Sequence, residues 1–453
     1  MVGLPARSYL PRAVAFWQNS GENSVALLKN VLILAYYFPP LGMGGTQRAA
    51  KFAKYLPHFG WNPIVVTVKD VAYYAKDSTL LEDIRAVQIH RTGSLDPLRL
   101  LYLFGKGESA SASSGGRRRM FAKLLSWVLV PDARVLWLPF AFLRALRVLR
   151  TQDVACLLTT SPPHSVHLLG LLLRKMKRLK WVADFRDGWS GGNFQYEPTP
   201  LHKWLNRTCE RLVLRYADEV TAVSEGLKEN LAAAVLQGRG RFHTITNGFD
   251  QEDFEELPEL QRDDRFNIVY SGALTSMAPV AGFLQAIKAL VARDPDAREK
   301  LRVRFVGADL EGVAAQQVSE FGLDDIVEFL GFLPHRTSLE KVRTADLLLY
   351  PVSNEASADF VPGKTFEYMA SRKRILAVGA ETEGLKILQR YGSVVCLAHD
   401  DMEGMANAIH SAMAGEWTVE SSSPDAAALA FERKRLAGRL AEILELCLCS
   451  PKI

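Results

Sequence analysis

Two short stretches of the chain combine residue types that can hold an anion. The first, Leu41-Gly42-Met43-Gly44-Gly45-Thr46-Gln47-Arg48, follows the apolar run Val31–Tyr37 and opens a helical pattern. A glycine-rich loop between a strand and its helix offers bare N–H groups and the positive helix end to an anion. The plainer reading is a loop that merely turns. The second, Asp359-Phe360-Val361-Pro362-Gly363-Lys364-Thr365-Phe366-Glu367, follows the apolar run Leu347–Val352. Pro362-Gly363 opens a helix on which Lys364 and Glu367 stand three apart on one face. A diphosphate would meet that helix N-terminus and the Lys364 ammonium. An ionised Glu367, which only accepts, would take hydrogen bonds from ribose hydroxyls. The alternative is an exposed helix pair worth ~0.2–0.5 kcal/mol.

A third group surrounds Asp184-Phe185-Arg186-Asp187, at the end of the apolar run Trp181–Phe185, where doubly wound folds place ligands. Asp187 reads as a substrate contact, or His167, on an early helix turn after Ser161-Pro162-Pro163, with His164 as its substitute. The structural reading is an Arg186 bridged by two aspartates to hold a loop, and a core histidine. No His, Asp and Glu cluster has metal-ligand spacing. The five cysteines include no C-x-x-C pair, so neither a zinc site nor a disulfide framework is implied. Cys156 and Cys396, inside apolar runs, read as buried thiols.

Elements to position these groups recur along the chain. The runs Val31–Tyr37, Ile64–Val68, Ala155–Thr160, Trp181–Phe185, Glu219–Val223 and Phe242–Thr246 form one set. Phe266–Ser271, Val303–Val306, Val327–Leu330, Leu347–Val352, Arg374–Val378 and Val394–Leu397 form a second. Most are apolar on both faces, as buried parallel strands are, and helical patterns separate them. Strand–helix alternation gives doubly wound sheets, so the chain reads as α/β with two Rossmann-like domains. We divide it into an N-terminal extension (1–30), a first domain (31–248) with a mobile loop at 105–119, a second domain (249–424) and a C-terminal helix (425–453). A chain of 453 residues with 48% hydrophobic and 23% charged residues can bury two such cores, and it is no disordered chain or collagen-like fibre.

The net charge of +5 gives no argument for nucleic acid. It is unevenly spread: Arg85 to Arg150 holds 12 Lys and Arg against three acids, or +9. Within it, Arg117, Arg118 and Arg119 precede aromatic residues that include Trp127 and Trp137. Basic and aromatic residues together suit an anionic membrane surface, and the plainer reading makes the aromatics core. No apolar run reaches the ~18–20 residues of a spanning helix, and no signal peptide is convincing.

These pieces, with Tyr37-Phe38-Pro39-Pro40, Asp184-Phe185-Arg186-Asp187-Gly188-Trp189, Val223-Ser224, Asn247-Gly248-Phe249-Asp250 and Lys364-Thr365-Phe366-Glu367-Tyr368, occur in an order and spacing that resemble a retaining glycosyltransferase of family 4. The match runs from about Val31 to Leu448 and is nearest the bacterial branch with a DFRDxW segment, found among enzymes of surface-polysaccharide assembly. The resemblance implies a GT-B fold, with two domains facing a cleft and the C-terminal helix packed back on the first. It implies a metal-independent hexosyltransferase that moves a sugar from a nucleotide-sugar to an acceptor hydroxyl with retention. No cofactor beyond that donor is implied. Gly44, Gly45, Lys364 and Glu367 would bind the donor. Asp187, His167 and Asp359 would be catalytic, and Arg117, Arg118, Arg119, Trp127 and Trp137 would face the acceptor or membrane.

In the family's Glu-x7-Glu motif Glu367 is the second carboxylate, and Asp359 fills the first place on a shorter arm. The family's Arg/Lys pair after the first strand of the second domain is replaced by Ser271-Gly272-Ala273-Leu274-Thr275-Ser276-Met277-Ala278-Pro279, with no basic residue before Lys288. Lys364, Arg48 or the glycine-loop amides would then complement the diphosphate. Expected partners are a nucleotide-sugar, a glycan or lipid-linked acceptor and an anionic membrane, without nucleic acid. The expected location is the cytoplasm, at the inner face of the cell membrane. On the same fold, a non-catalytic nucleotide-sugar-binding module or a nucleotide-sugar epimerase are the alternatives.

Overall fold

The computed structural model describes residues 28–73, 75–103, 127–190, 197–235, 241–258, 264–391, 393–417 and 428–449. Arg117, Arg118 and Arg119 and the loop expected at 105–119 lie outside them. Thirteen described strands form two all-parallel sheets. The first contains β1 (Lys29–Leu34), β2 (Trp61–Val68), β3 (Gln88–Thr92), β4 (Val154–Ser161), β5 (Lys180–Phe185), β6 (Glu219–Ala222) and β7 (Arg241–Thr244), in the order β3-β2-β1-β4-β5-β6-β7. The second contains β8 (Phe266–Ser271), β9 (Leu301–Val306), β10 (Val327–Gly331), β11 (Leu347–Val352), β12 (Arg374–Gly379) and β13 (Ser393–Leu397), in the order β10-β9-β8-β11-β12-β13.

Helices cover both faces of each sheet, which is why the strands are continuous apolar runs. In β1, Leu32 and Leu34 enter one core while Val31 and Ile33 enter the core on the opposite face. In β8, Ile268 and Tyr270 face one core and Val269 the other. The strand the sequence reading lacks is β3, Gln88-Ile89-His90-Arg91-Thr92, an edge strand that is mostly polar and half-exposed. Edge position also corrects the reading of Cys396: it lies on β13, at the other sheet's border, and is exposed, whereas Cys156 is buried.

The last helix, Arg433–Cys449, returns to the first domain. Leu436, Leu440, Ile443 and Leu444 join the core of Val31, Ile33, Ala49 and Phe52, and Lys29 pairs with Glu445 at 2.6 Å. The two chain crossings between domains run together, with Phe249 bridged to Glu432 in parallel. A Cβ at Gly248 would stand 2.0 Å from the Phe431 carbonyl oxygen, so this crossing requires glycine.

Trp137 is corrected from the acceptor or membrane side to the core. It is fully buried, its indole Nε1 donates to Thr92 Oγ1 at 2.7 Å, and its ring meets Tyr36 edge-on. The helix that follows, Leu138–Thr151, turns Ala141, Ala145 and Val148 into the same core. Trp127 is exposed, and its carbonyl lies 3.1 Å from His202 Nε2 on the helix Pro200–Tyr216. Among the described residues no helix is long and apolar enough to cross a membrane.

Candidate active site

Both sheets reverse their strand order beside their first strand, between β1 and β4 and between β8 and β11. Such switch points leave a crevice outside the carboxyl ends of the strands. A cavity of about 1120 Å³ lies between the domains there. Gly42 to Thr46, Pro162 and Arg186 to Gly188 line it from the first domain, and Ser357 and Asp359 to Gly363 from the second.

On the first-domain wall the glycine loop starts the helix Gly44–Tyr55 with no acidic residue in its first turn. Its N–H groups and dipole therefore keep their positive end open to an anion. Gly42 is fixed by the partner domain, since a Cβ there would stand 2.7 Å from the Phe332 ring. Asp187 is half-buried on the cavity wall; burial raises its carboxyl, and the Arg186 charge pulls the other way.

His167 is corrected. It is fully buried, its Nδ1 is 2.7 Å from Thr159 Oγ1, and its ring packs 4.3 Å from Phe185. The helix Ser165–Lys177 turns Val166, His167, Leu169 and Leu173 inward, so the histidine belongs to the apolar stripe and not to the cavity lining. Burial first, then neighbouring charges, hold its imidazole well below the ordinary value and therefore neutral. His164 stacks on Trp189 at 5.1 Å, and burial lowers it to about 3.

Arg48 is also committed elsewhere. It is fully buried, gives Asp184 two hydrogen bonds of 3.1 and 2.7 Å, and donates to the Thr246 carbonyl at 2.7 Å. Asp184 therefore bridges Arg48, Thr160 and Thr221 rather than Arg186.

The second-domain lining of the cavity ends at Gly363, where the helix Lys364–Ser371 begins. The residues of this helix divide by face. Thr365 meets the Tyr350 hydroxyl at 2.8 Å, and the Tyr368 hydroxyl accepts from Ser271 N–H at 2.8 Å, so both lock the helix to β8 and β11. Lys364 and Glu367 occupy another face. The Lys364 ammonium lies 3.8 Å from the centroid of the Tyr270 ring, and the missing side chain of Gly272, at φ +143, makes room for it. Burial brings Lys364 down to about 7, against the pull of Glu367.

Glu367 accepts from His335 Nε2 at 3.0 Å, and His335 Nδ1 lies 3.7 Å from Asp253. Burial alone would lower that imidazole, but the Glu367 hydrogen bond and the two carboxylates outweigh it and raise it. Asp359 lines the cavity and accepts from Asn230 Nδ2 of the first domain at 3.2 Å. Among the described residues no group of three His, Cys, Asp or Glu side chains is placed to hold a metal.

Residues 43–248 match the family model for a glycosyl transferase 4-like domain, and residues 265–414 the model for glycosyl transferases group 1. The fold is that of solved GT-B structures. The Anabaena protein HepE, in complex with UDP-glucose, is 17% identical with a TM-score of 0.61, covering 92% of this chain and 99% of that one. Sucrose-phosphate synthase from Thermosynechococcus elongatus is 16% identical with a TM-score of 0.60, covering 93% and 100%. A glycosyltransferase from Rickettsia africae is 14% identical with a TM-score of 0.59, covering 94% and 100%. The chain has the GT-B fold, and each of its two domains matches a glycosyltransferase family model. No curated protein sequence matches this one.

Two groups between the domains were not legible in the sequence, and a third, Arg186, was read with the wrong partners. His335 sits at the start of the helix His335–Thr344, far from any motif, and nothing in the sequence pairs it with Glu367. Glu383 reaches across the cleft to the Glu225 and Gly226 N–H groups at 3.0 and 3.2 Å, so a second-domain carboxylate meets the N-terminus of a first-domain helix. Arg186 lines the cavity through contacts with backbone carbonyls rather than aspartates.

Proposed function

We propose that the chain transfers a sugar from a nucleotide-sugar to an acceptor hydroxyl with retention of configuration, in the assembly of a bacterial surface polysaccharide or glycolipid. The observation that carries this reading is the cavity between the domains. A helix N-terminus bearing Gly44-Gly45 forms one wall, and the Asp359–Gly363 segment that leads to Lys364 and Glu367 forms the other. The two glycosyltransferase domain matches and a neighbour solved with UDP-glucose support a nucleotide-sugar as the ligand. In this reading Lys364 and the glycine-loop N–H groups meet the diphosphate. The departing nucleotide's charge then meets preorganised donors in place of bulk water. Glu367, steadied by His335, accepts from the ribose hydroxyls, and Asp359 accepts from the sugar. Asp187 accepts from the acceptor hydroxyl. No cofactor or metal enters the reading.

A lipid-linked acceptor at the membrane is the acceptor class we favour. Trp127, Val128, Leu201 and Trp204 are exposed around the start of the helix Pro200–Tyr216, and Arg207 and Arg211 of that helix line the cavity. Anionic vesicles should co-sediment the protein, less so as salt rises, because surface charges are screened within ~8–10 Å. Equal binding to neutral vesicles, or none to either, would favour a soluble acceptor. For the donor, thermal unfolding should be measured against a panel of nucleotide-sugars and the matching free sugars. One nucleotide-sugar should raise Tm and the free sugars should not; a panel without effect would remove the nucleotide-sugar reading.

A further inference from the structure

The GT-B cleft lacks the basic pair after β8, and Arg48, the nearest substitute on the glycine-loop helix, is spent on Asp184 and the Thr246 carbonyl. A cation of the first domain nevertheless lies under that loop. Arg186 is 8% exposed and lines the cavity. Its Nε donates to the Ser161 carbonyl and its Nη2 to the Pro162 carbonyl, each at 2.7 Å. These bonds fix the guanidinium against the end of β4 but bring it no negative charge. Nη1 is buried and has no hydrogen-bond partner among the described residues. It lies 3.2 Å from the point that a Cβ of Gly45 would occupy, nearer than any atom from outside that glycine's own helix turn.

Asp184 and Asp187 lie within its field, yet neither hydrogen-bonds to it, and Asp184 is already held by Arg48. A buried cation with one donor unused is costly unless an anion completes it. The open N-terminal turn above it, at Gly44-Gly45, attracts the same kind of ligand. The two observations are independent: one is a backbone feature of the loop, the other an orphaned donor from the segment after β5.

We infer that Arg186 is the charge complement, on the first-domain wall, for the terminal phosphate of a nucleoside diphosphate bound at the Gly44-Gly45 helix start. It takes the place of the basic pair that the segment after β8 does not carry. This inference rests on the proposed function. It adds that the diphosphate is held from both domains, by Arg186 on one side and Lys364 on the other, so that its binding favours closure.

The test is calorimetry of the full chain with uridine diphosphate, guanosine diphosphate and the corresponding nucleosides. It compares wild type, Arg186→Gln and Arg186→Lys, with folding checked by circular dichroism. Arg186→Gln should weaken the diphosphate on the order of tenfold or more, as loss of a charged partner does, and leave the nucleoside unchanged. Arg186→Lys, which keeps the charge, should recover most of that loss. Equal weakening of nucleoside and diphosphate in both variants would make Arg186 a structural residue and overturn the inference, as would an unchanged diphosphate affinity.

If Arg186→Gln does not fold, a structure of the wild type with the same diphosphate decides. The terminal phosphorus should lie within roughly 4–6 Å of the guanidinium, the range over which an opposite charge acts strongly. A phosphate held by Lys364 alone, well beyond that distance, overturns the inference. A wild type that binds neither nucleotide removes the proposed function itself, whereas diphosphate binding that is indifferent to Arg186 removes only this addition to it.

Discussion

Lys364 is a candidate donor contact whose charge depends on its burial. Its ammonium sits on the Tyr270 ring with burial holding it to about 7, against an ordinary 10.5. An arriving diphosphate favours the charged form and must raise that value again. At pH 8 binding should therefore take up a proton, and at pH 6, where Lys364 is already charged, it should not. Affinity should fall as pH climbs above about 7, by at most tenfold per unit. Calorimetry in buffers of different ionisation enthalpy reads the proton directly, and Lys364→Met should abolish the uptake. Glu367→Gln should cost donor affinity on the order of 1.5–3 kcal/mol, the range for a hydrogen bond to a charged group. Unchanged donor binding would take Glu367 out of the site. The sequence pointed to Gly44, Gly45, Lys364, Glu367, Asp187 and Asp359 because each stands next to a strand end or a glycine turn. It misplaced His167, because helix phase and not chain position decides which face a residue shows: His167 shares the inward stripe of Val166 and Leu169. His335 was beyond reach, since its partnership with Glu367 spans two helices with no shared motif.

The strands and helices were legible wherever burial on both faces left a continuous apolar run, as in Leu347–Val352. Legibility failed at the borders: β3 is polar because it is an edge, and Cys396 is exposed for the same reason. The Asn247-Gly248-Phe249-Asp250 stretch reads as a turn, but its glycine is set by tertiary contact with Phe431. Gly248→Ala should destabilise the protein by about 1–3 kcal/mol, the usual cost of forcing extra volume into a packed site. Denaturant unfolding would measure it, and a neutral result would mean that the two crossings separate easily. Around Asp250 the same crossing is tied to the glycine-loop helix. Lys51 contacts Asp83, Asp250 and Asp253 at 2.7, 2.6 and 2.7 Å, and the Tyr55 hydroxyl donates to Asp250 at 2.8 Å. The helix that offers its N-terminus to the cavity is thus anchored at its far end to the interdomain segment.

At the scale of the molecule, the two domains meet around the cavity. Asp77 accepts the His335 N–H at 2.7 Å, Asn230 donates to Asp359, and Glu383 caps the helix Glu225–Ala233 from across the cleft. Closed walls exclude water, which strengthens charge interactions inside and limits loss of the donor to hydrolysis. A donor held in the cleft without acceptor should still meet water occasionally, so its slow hydrolysis tests the proposed transfer. Nuclear magnetic resonance should follow a panel of nucleotide-sugars incubated with the full chain in the absence of acceptor. One of them should slowly release free nucleoside diphosphate together with the sugar in its original anomeric form, and Lys364→Met should slow that release at least tenfold, the loss expected of a charged contact to the leaving group. A panel left intact, or a nucleotide-sugar returned with an inverted ring carbon instead of being cleaved, would contradict the account.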